Sequence, residues 1–263
     1  MSRGREIMQC VWLGKDRRTD ELCDKLKIKN LNINEDVSDW IKCILPDDSY
    51  EDFALTLSDY IFENVIPERI EQYLVFNFKE FDIDDRLIIK ERTINTAAKF
   101  RLIADVVYNR LYDFLQCSNS LNLKGFINFR LKDYMEEIKE LTEIAADEYI
   151  AETHYKEFIQ LLKHYVEIQE ALFEEVHFIP SDNGEHRILD ECGLDITLNC
   201  MDELEKEGLT ENACFDDLII SSLISMAPRK IYMHGQSCIK NPQMLETIKS
   251  IFSGRIIMSD KKI

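Results

Sequence analysis

The sequence predicts an α+β protein with a helix-rich centre, a β-hairpin, a small N-terminal α/β unit and a C-terminal α-β-α-β end. Three observations carry this prediction. Short runs rich in Val, Ile and aromatic residues lie near both ends, apolar residues recur at helical spacing through the middle, and strand-like segments begin at residue 175. We divide the chain into residues 1–80, a small N-terminal α/β region, and residues 81–263, a helical core with the hairpin and a C-terminal βαβ-like unit.

The N-terminal region combines two predicted strands, at residues 6–13 and 40–45, with a short helix between them at residues 19–26. Ser49 can cap a second helix. Apolar residues spaced by four then predict one helix face, and Pro67 predicts the end of that helix. This face consists of Phe53, Leu57, Ile61 and Val65.

The centre is predicted to form two or three helices packed side by side, because it carries three apolar stripes at helical spacing. The first stripe is Phe100, Ile103, Val107, Leu111 and Phe114, the second is Ile127, Leu131, Tyr134, Ile138, Leu141 and Ala145, and the third is Phe158, Leu161, Leu162, Tyr165 and Ile168. The third stripe is out of phase with the second. The change of phase near residues 152–153 predicts a kink or a new helix there.

The last ninety residues are predicted to hold a hairpin followed by alternating helices and strands. Asn183 and Gly184 favour a two-residue turn, which would place Ile179 opposite Ile188 and His177 opposite Asp190. Residues 218–227 predict a buried helix, and residues 230–234 and 255–258 predict two parallel strands. Between these strands, Asn241 caps a helix with Pro242 at its first position.

Composition indicates a compact cytoplasmic protein. Apolar residues make up 45% of the chain, with only 8 Gly and 5 Pro, which excludes disordered, collagen-like and low-complexity chains. The longest apolar run, residues 218–228, is shorter than the roughly 20 residues of a membrane-spanning helix, and the N-terminus does not resemble a signal peptide. The eight cysteines include no C-x-x-C pair, so we expect free thiols, no metal site and no cofactor.

The formal net charge of −18 is unevenly distributed. Residues 86–132 hold nine basic and three acidic side chains, whereas residues 133–217 hold five basic and 25 acidic ones. The basic residues are Arg86, Lys90, Arg92, Lys99, Arg101, Arg110, Lys124, Arg130 and Lys132, and they are candidates for binding a partner or phosphates. Pairing within the chain or with a protein partner is favoured over nucleic-acid binding, because acidic blocks flank the segment and the whole chain repels nucleic acid.

Two further arrangements are candidates for chemistry. His177 and Asp190 could form an acid–base pair across the hairpin, although a surface contact is the more common outcome for such a pair. Gly235, Gln236 and Ser237 follow a predicted strand and precede a helix, where an anion could bind. An ordinary connecting loop is the simpler interpretation of that segment, so no catalytic residue is assigned.

Residues 125–138, GFINFRLKDYMEEI, resemble the YtxC-like family of sporulation proteins. The similarity continues through ADEYI at 146–150, YKEFIQLLK at 155–163 and VEIQE at 166–170, and it covers roughly residues 80–258. The resemblance implies an intracellular protein of endospore-forming bacteria that is associated by name with sporulation. It implies no reaction, cofactor or catalytic residue.

These observations together predict a non-enzymatic, cytoplasmic, sporulation-associated protein that acts through protein–protein contacts. The alternative is a nucleic-acid or phosphate-ligand binder that uses the basic segment 86–132. An enzyme built around residues 234–237, or around the His177–Asp190 pair, is the third hypothesis.

Overall fold

The computed structural model describes residues 9–15, 19–28, 32–37, 39–45, 49–99, 102–181, 186–206, 214–235 and 241–259. The chain forms two compact units, Met1–Ile150 and Ala151–Ile263. Helices dominate, and each unit holds one small mixed sheet, so the predicted α+β class is confirmed. The division of the sequence at residue 80 stays a prediction.

The first unit surrounds a four-stranded sheet with helices. Its elements are β1 (Gln9–Gly14), α1 (Thr19–Ile28), β2 (Asn32–Val37), β3 (Trp40–Leu45), α2 (Tyr50–Tyr60), a wide helical turn (Ile61–Val65), α3 (Ile66–Asn77), α4 (Ile83–Lys99), α5 (Leu102–Cys117), β4 (Ser120–Leu121), α6 (Leu123–Arg130) and the first part of α7 (Lys132–Ile168). The strand order is β2-β3-β1-β4. β1 runs antiparallel to β3 and parallel to β4.

The apolar residues that alternate along β3 and those that recur along α2 are both buried in the core of the first unit. Ile41, Cys43 and Leu45 alternate with less buried neighbours along β3, and all three are buried. Phe53 and Leu57 of α2 are fully buried in the same apolar cluster. The predicted α2 face therefore packs against this core.

Pro67 does not end the helix that begins at residue 50, so that prediction was wrong. The chain passes from α2 through the wide turn into α3, and Pro67 lies in the first turn of α3. A proline is tolerated there because the first amides of a helix have no intrahelical acceptor. Ser49 stands at the N-cap of α2, but its side chain makes no capping hydrogen bond.

The prediction of a new helix near residues 152–153 was wrong, because α7 runs as one helix from Lys132 to Ile168, and the alternative of a kink there stays a prediction. The chain instead breaks at Leu131, between α6 and α7. The third stripe also differs from the prediction: Phe158, Leu161, Tyr165 and Ile168 are exposed. The change of phase thus marks a second apolar face on the same helix.

The second unit is built on a sheet of three parallel strands and one antiparallel strand. Its elements after α7 are β5 (Glu175–Ile179), β6 (Arg187–Leu189), α8 (Thr197–Lys206), α9 (Phe215–Met226), β7 (Lys230–His234), α10 (Pro242–Ile251) and β8 (Ile256–Ser259). The order is β6-β5-β7-β8, with β5, β7 and β8 parallel. The predicted α-β-α-β end and its parallel strands are confirmed.

The hairpin register differs by one residue from the prediction. Ile179 pairs with Arg187 and Phe178 with Ile188, and the seven residues 180–186 lie between the last paired residues. Just beyond the last paired residues, Nδ1 of His186 accepts a hydrogen bond from the Ser181 amide at 3.1 Å. Asn183 and Gly184 lie outside the described residues, so the predicted turn stays a prediction.

Arg255 fastens the beginning of β8 to two helix ends. Its guanidinium donates to the carbonyl oxygens of Ala227 and Pro228, just past α9, at 3.2 and 3.0 Å. It also donates to the carbonyl of Val166 in the last turn of α7, at 3.2 Å. A cation is favourable at these positions, because the last carbonyls of a helix lack intrahelical donors and carry partial negative charge.

Candidate functional site

The sequence proposes the basic side chains of residues 86–132 as a binding surface. Most of them interact with other residues of the first unit. Lys90 donates to a Glu71 carboxylate oxygen at 3.0 Å, and Arg86 Nε lies 3.4 Å from the other oxygen of that carboxylate. Arg86 also donates to the carbonyl of Phe81 at 2.5 Å. One carboxylate therefore partly neutralises two of the candidate cations.

Arg110 forms a two-pronged ion pair with Asp133. Its two terminal nitrogens donate to the two carboxylate oxygens at 2.5 and 2.6 Å, a geometry that only a guanidinium provides. One of them also donates to the Arg130 carbonyl at 2.7 Å. The hydrogen bonds from Arg110 and from the Tyr134 amide hold the pKa of Asp133 well below its usual range. This pair joins α5 to the first turn of α7.

Two other candidate cations lie over aromatic rings. The Arg92 guanidinium lies 5.6 Å from the centre of the Tyr149 ring, and that of Arg130 lies 5.9 Å from the centre of Phe114. Such contacts are attractive because the ring face is electron-rich. Lys99 and Lys124 are exposed, and Arg101 lies outside the described residues. Arg86, Lys90, Arg92, Arg110 and Arg130 thus already contact groups of the first unit, and partner or phosphate binding by the basic segment stays a prediction.

A groove in the first unit, of about 360 Å³, lies among α3, α6 and α7. Its apolar base includes Ile70, Ile127 and Ile138, all buried in the core of the unit. Phe76 also lines the groove, yet 77% of this residue is exposed. An aromatic ring so exposed beside an apolar groove is typical of a binding surface.

The charged residues that line the groove are mainly cations. It contains Arg69, Lys132 and Lys139 against the single carboxylate of Glu136. Lys139 donates to both Glu136 oxygens at 2.8 and 2.9 Å. Arg69 donates to the neutral side-chain amide of Asn128 at 3.0 Å, so that contact leaves its charge uncompensated. The groove is thus a positive site on a chain of net charge −18.

Tyr73 also lines the groove and donates its hydroxyl hydrogen to Glu143. That hydrogen bond, with a smaller contribution from burial, raises the pKa of Tyr73 to about 12. The hydroxyl therefore stays protonated at neutral pH and positions the ring. Tyr73 acts in the lining as an apolar surface with a fixed polar end.

Among the groove residues, the sequence predicted a contact role only for Lys132. A signal was present, because residues 73–76 read Tyr-Leu-Val-Phe and one helix face cannot bury all four. Ile70 and Leu74 occupy the buried face of α3, which turns Val75 and Phe76 outward. An apolar residue outside the buried stripe was the clue.

In the second unit, His177 does not pair with Asp190, so that prediction was wrong. The register places His177 opposite Leu189, and the carboxylate of Asp190 accepts from the Cys192 and Leu194 amides. His177 Nδ1 instead lies 3.0 Å from Nε2 of His234 on the neighbouring strand β7. The Tyr232 ring stacks on His177, with 5.0 Å between the ring centres.

The two imidazoles form a hydrogen bond in which one nitrogen donates and the other accepts. Burial lowers the pKa of His177, and the neighbouring His234 lowers it further. A second proton would place two positive rings beside each other. A proton can therefore pass between the two rings, but having both rings positively charged at once is unfavourable.

His186 has both ring nitrogens engaged. Nδ1 accepts from the Ser181 amide at 3.1 Å, so Nε2 carries the hydrogen and faces an Asp216 oxygen at 3.2 Å. The other Asp216 oxygen accepts from the Asn241 side-chain amide at 2.9 Å. This chain of contacts connects Ser181 in the hairpin to the first turn of α9 and to the N-cap of α10.

Only part of the predicted anion loop falls within the described residues. Gly235 has a φ of +57°, a conformation that glycine adopts without strain. Gln236 and Ser237 lie outside the described residues. As predicted, Asn241 caps α10, accepting from the Gln243 and Met244 amides at 3.1 and 3.3 Å. Anion binding at this loop stays a prediction.

Within the described ranges, no helix has the length and apolar character needed to cross a membrane. The same residues bring no three metal-ligating side chains together.

Comparison with known proteins identifies a family. The model of the YtxC-like family matches residues 51–257. A Bacillus subtilis (strain 168) protein named "Uncharacterized protein YtxC" is 26% identical over 140 residues, which cover 52% of this chain and 47% of that protein. The chain thus aligns with about half the length of this curated relative, and no solved structure matches it. Because the family match spans well over half of the sequence, the chain belongs to the YtxC-like family.

Proposed function

We propose that this protein acts in the cytoplasm during sporulation by binding another protein through the groove of the first unit. The partner supplies an apolar side chain that packs against Phe76 and the groove base, together with a carboxylate that meets the cationic rim. The observation that carries the proposal is Phe76, which is 77% exposed beside a groove with a buried apolar base. The association with sporulation comes from the resemblance of the sequence to its family.

Charge supports an acidic partner segment. Three cations and one carboxylate line the groove, and Lys132 has no ion-pair partner among the described residues. An apolar side chain alone would place no anionic group near the groove cations. A carboxylate beside it would form charge-assisted hydrogen bonds with Arg69 or Lys132.

This proposal narrows the predicted contact surface. Of the basic segment 86–132, Lys132 lines the groove, while Arg86, Lys90 and Arg110 are paired within the first unit. These pairs reduce the charge that the basic segment presents to a partner. The proposed surface therefore depends on α3 and α7 more than on α4 and α5.

The test compares two phenylalanines that are both exposed. Phe76→Glu places a carboxylate at the groove, whereas Phe129→Glu makes the same change on α6 at a residue that is 84% exposed and does not line the groove. Each variant replaces the native gene of an endospore-forming bacterium, and the tagged protein is isolated from sporulating cells for quantitative mass spectrometry.

We expect Phe76→Glu, and not Phe129→Glu, to lose a saturable partner by tenfold or more and to lower the spore count. Burying a Phe side chain contributes about 2 kcal/mol, which corresponds to roughly thirtyfold in affinity. Equal partner recovery from both variants and the wild type would reject the groove as the binding site.

Phosphate or nucleic-acid binding is the second candidate, and the uncompensated Arg69 and Lys132 charges favour it. The purified protein would be titrated with heparin and duplex DNA at 50 and 200 mM salt. A steep loss of affinity with salt that Lys132→Glu removes would support this alternative. Failure to bind either polyanion at 50 mM salt would exclude it.

A further inference from the structure

The second half of α7 carries two apolar faces. Ile159, Leu162 and Val166 pack into the core of the second unit. Phe158, Leu161, Tyr165 and Ile168 lie on an adjacent face, where 55, 68, 50 and 70% of each residue is exposed. We call these four exposed residues the α7 seam.

The spacing of the seam is that of a coiled coil. Its residues are separated by three, four and three positions, the a and d pattern of a heptad repeat. At 100° per residue, they fall within a strip about 80° wide. The strip is the width of one partner helix, and none of its four side chains carries a formal charge.

The exposed area is large enough for a modest interface. With 50 to 70% of each residue exposed, the seam presents on the order of 400 Å² of apolar surface. Leu172, just past the helix end, is 66% exposed and adds to it. Two such surfaces together bury about 1,000 Å², the lower end of the range for specific interfaces.

We propose that the α7 seam binds the same seam of a second copy of this chain, with the two helices antiparallel. A two-fold axis near Lys163 places Phe158 opposite Ile168 of the other copy, and Leu161 opposite Tyr165. Each layer then pairs one aromatic with one aliphatic side chain, so the layers have similar volumes. A parallel pair would instead stack Phe158 on Phe158 and Leu161 on Leu161, which gives uneven layers.

Charge predicts how this association responds to salt. Two chains of net charge −18 repel each other, while the seam itself is neutral. Added salt screens the repulsion and leaves apolar contacts in place. Association through the seam should therefore strengthen between 50 and 500 mM salt, which is opposite to the behaviour of an interface held by ion pairs.

Sedimentation velocity of the full chain between 1 and 200 µM tests the proposal. We expect a concentration-dependent dimer with a dissociation constant on the order of 10 µM. Leu161→Lys and Tyr165→Glu should each weaken the dimer at least tenfold. Leu198→Glu, on α8 and 73% exposed, is the matched control and should leave it unchanged.

An equimolar mixture of Leu161→Lys and Tyr165→Glu chains tests the antiparallel arrangement. In the mixed dimer, the introduced Lys of one copy faces the introduced Glu of the other, so dimerisation should recover. Circular dichroism checks that each variant folds. Both substituted residues are exposed, so the fold should tolerate the changes. A wild-type chain that stays monomeric at 200 µM, a dimer that weakens with salt, or a mixture that fails to recover would overturn the proposal.

Discussion

Replacing Phe178 by Ala tests the core of the second unit. Phe178 of β5 is fully buried opposite Ile188, with its ring centre 5.6 Å from that of His186. The substitution removes the ring and leaves a cavity among residues that cannot close it, because strands on both sides fix the backbone. We expect a loss of about 3–5 kcal/mol in the free energy of unfolding.

Hydrogen exchange of the β5 and β7 amides measures this loss directly. A destabilisation of that size speeds the slowest exchange by roughly two to three and a half powers of ten when exchange follows unfolding. Leu198→Ala removes an apolar side chain that is 73% exposed in the same unit and should change exchange by less than about threefold. A Phe178→Ala effect as small as that of the control would show that the ring is not sealed in this core.

Three further outcomes follow from the pairs described above. Because Arg110 lowers the pKa of Asp133, the stability that this pair contributes is present above about pH 4 and is lost as the pH falls below it. Arg110→Gln should therefore reduce the fall of the melting temperature with decreasing pH below about 4. Because burial lowers the pKa of His177, the unfolded chain binds more protons than the folded chain below about pH 6.5, and the second unit should lose stability as the pH falls from 7 to 5. His177→Gln should reduce that loss in denaturant titrations at several pH values. A free energy of unfolding that depends on pH as steeply as that of the wild type would contradict this. Asn241→Ala removes the cap of α10 and should lower the free energy of unfolding by about 1 kcal/mol in urea titration, while Asn241→Asp should retain most of it.

The parts of the fold that could be predicted depend on local chemistry. β3 and β7 have the predicted bounds, because the residues of each strand form an alternating pattern or a short apolar run that is visible without any distant contact. The cap of α10 follows from Asn241 and Pro242 alone. β2 and β4 were not predicted, because Asn32–Val37 is mostly polar and Ser120–Leu121 is only two residues long.

The parts that could not be predicted depend on contacts between distant residues. The hairpin ladder has a shifted register, and beside it His186 contacts Asp216, thirty residues further along the chain, a contact that the hairpin sequence alone does not reveal. The groove is formed by α3 together with α6 and α7, and no spacing within one of these helices reveals the others. The α7 seam was recognised as an apolar stripe, yet only the packing of Ile159 and Val166 shows which stripe the core uses.

Arg255 has a consequence for where this protein can be cut. A fragment that ends at residue 254 would keep the helices described for the second unit, yet it would lose the guanidinium that bonds to Val166, Ala227 and Pro228. It would also lose β8, the strand beside β7. The family match ends at residue 257, two positions after Arg255. The C-terminal boundary of a usable fragment is therefore set by Arg255 and β8, and expression vectors designed on helices alone would omit both.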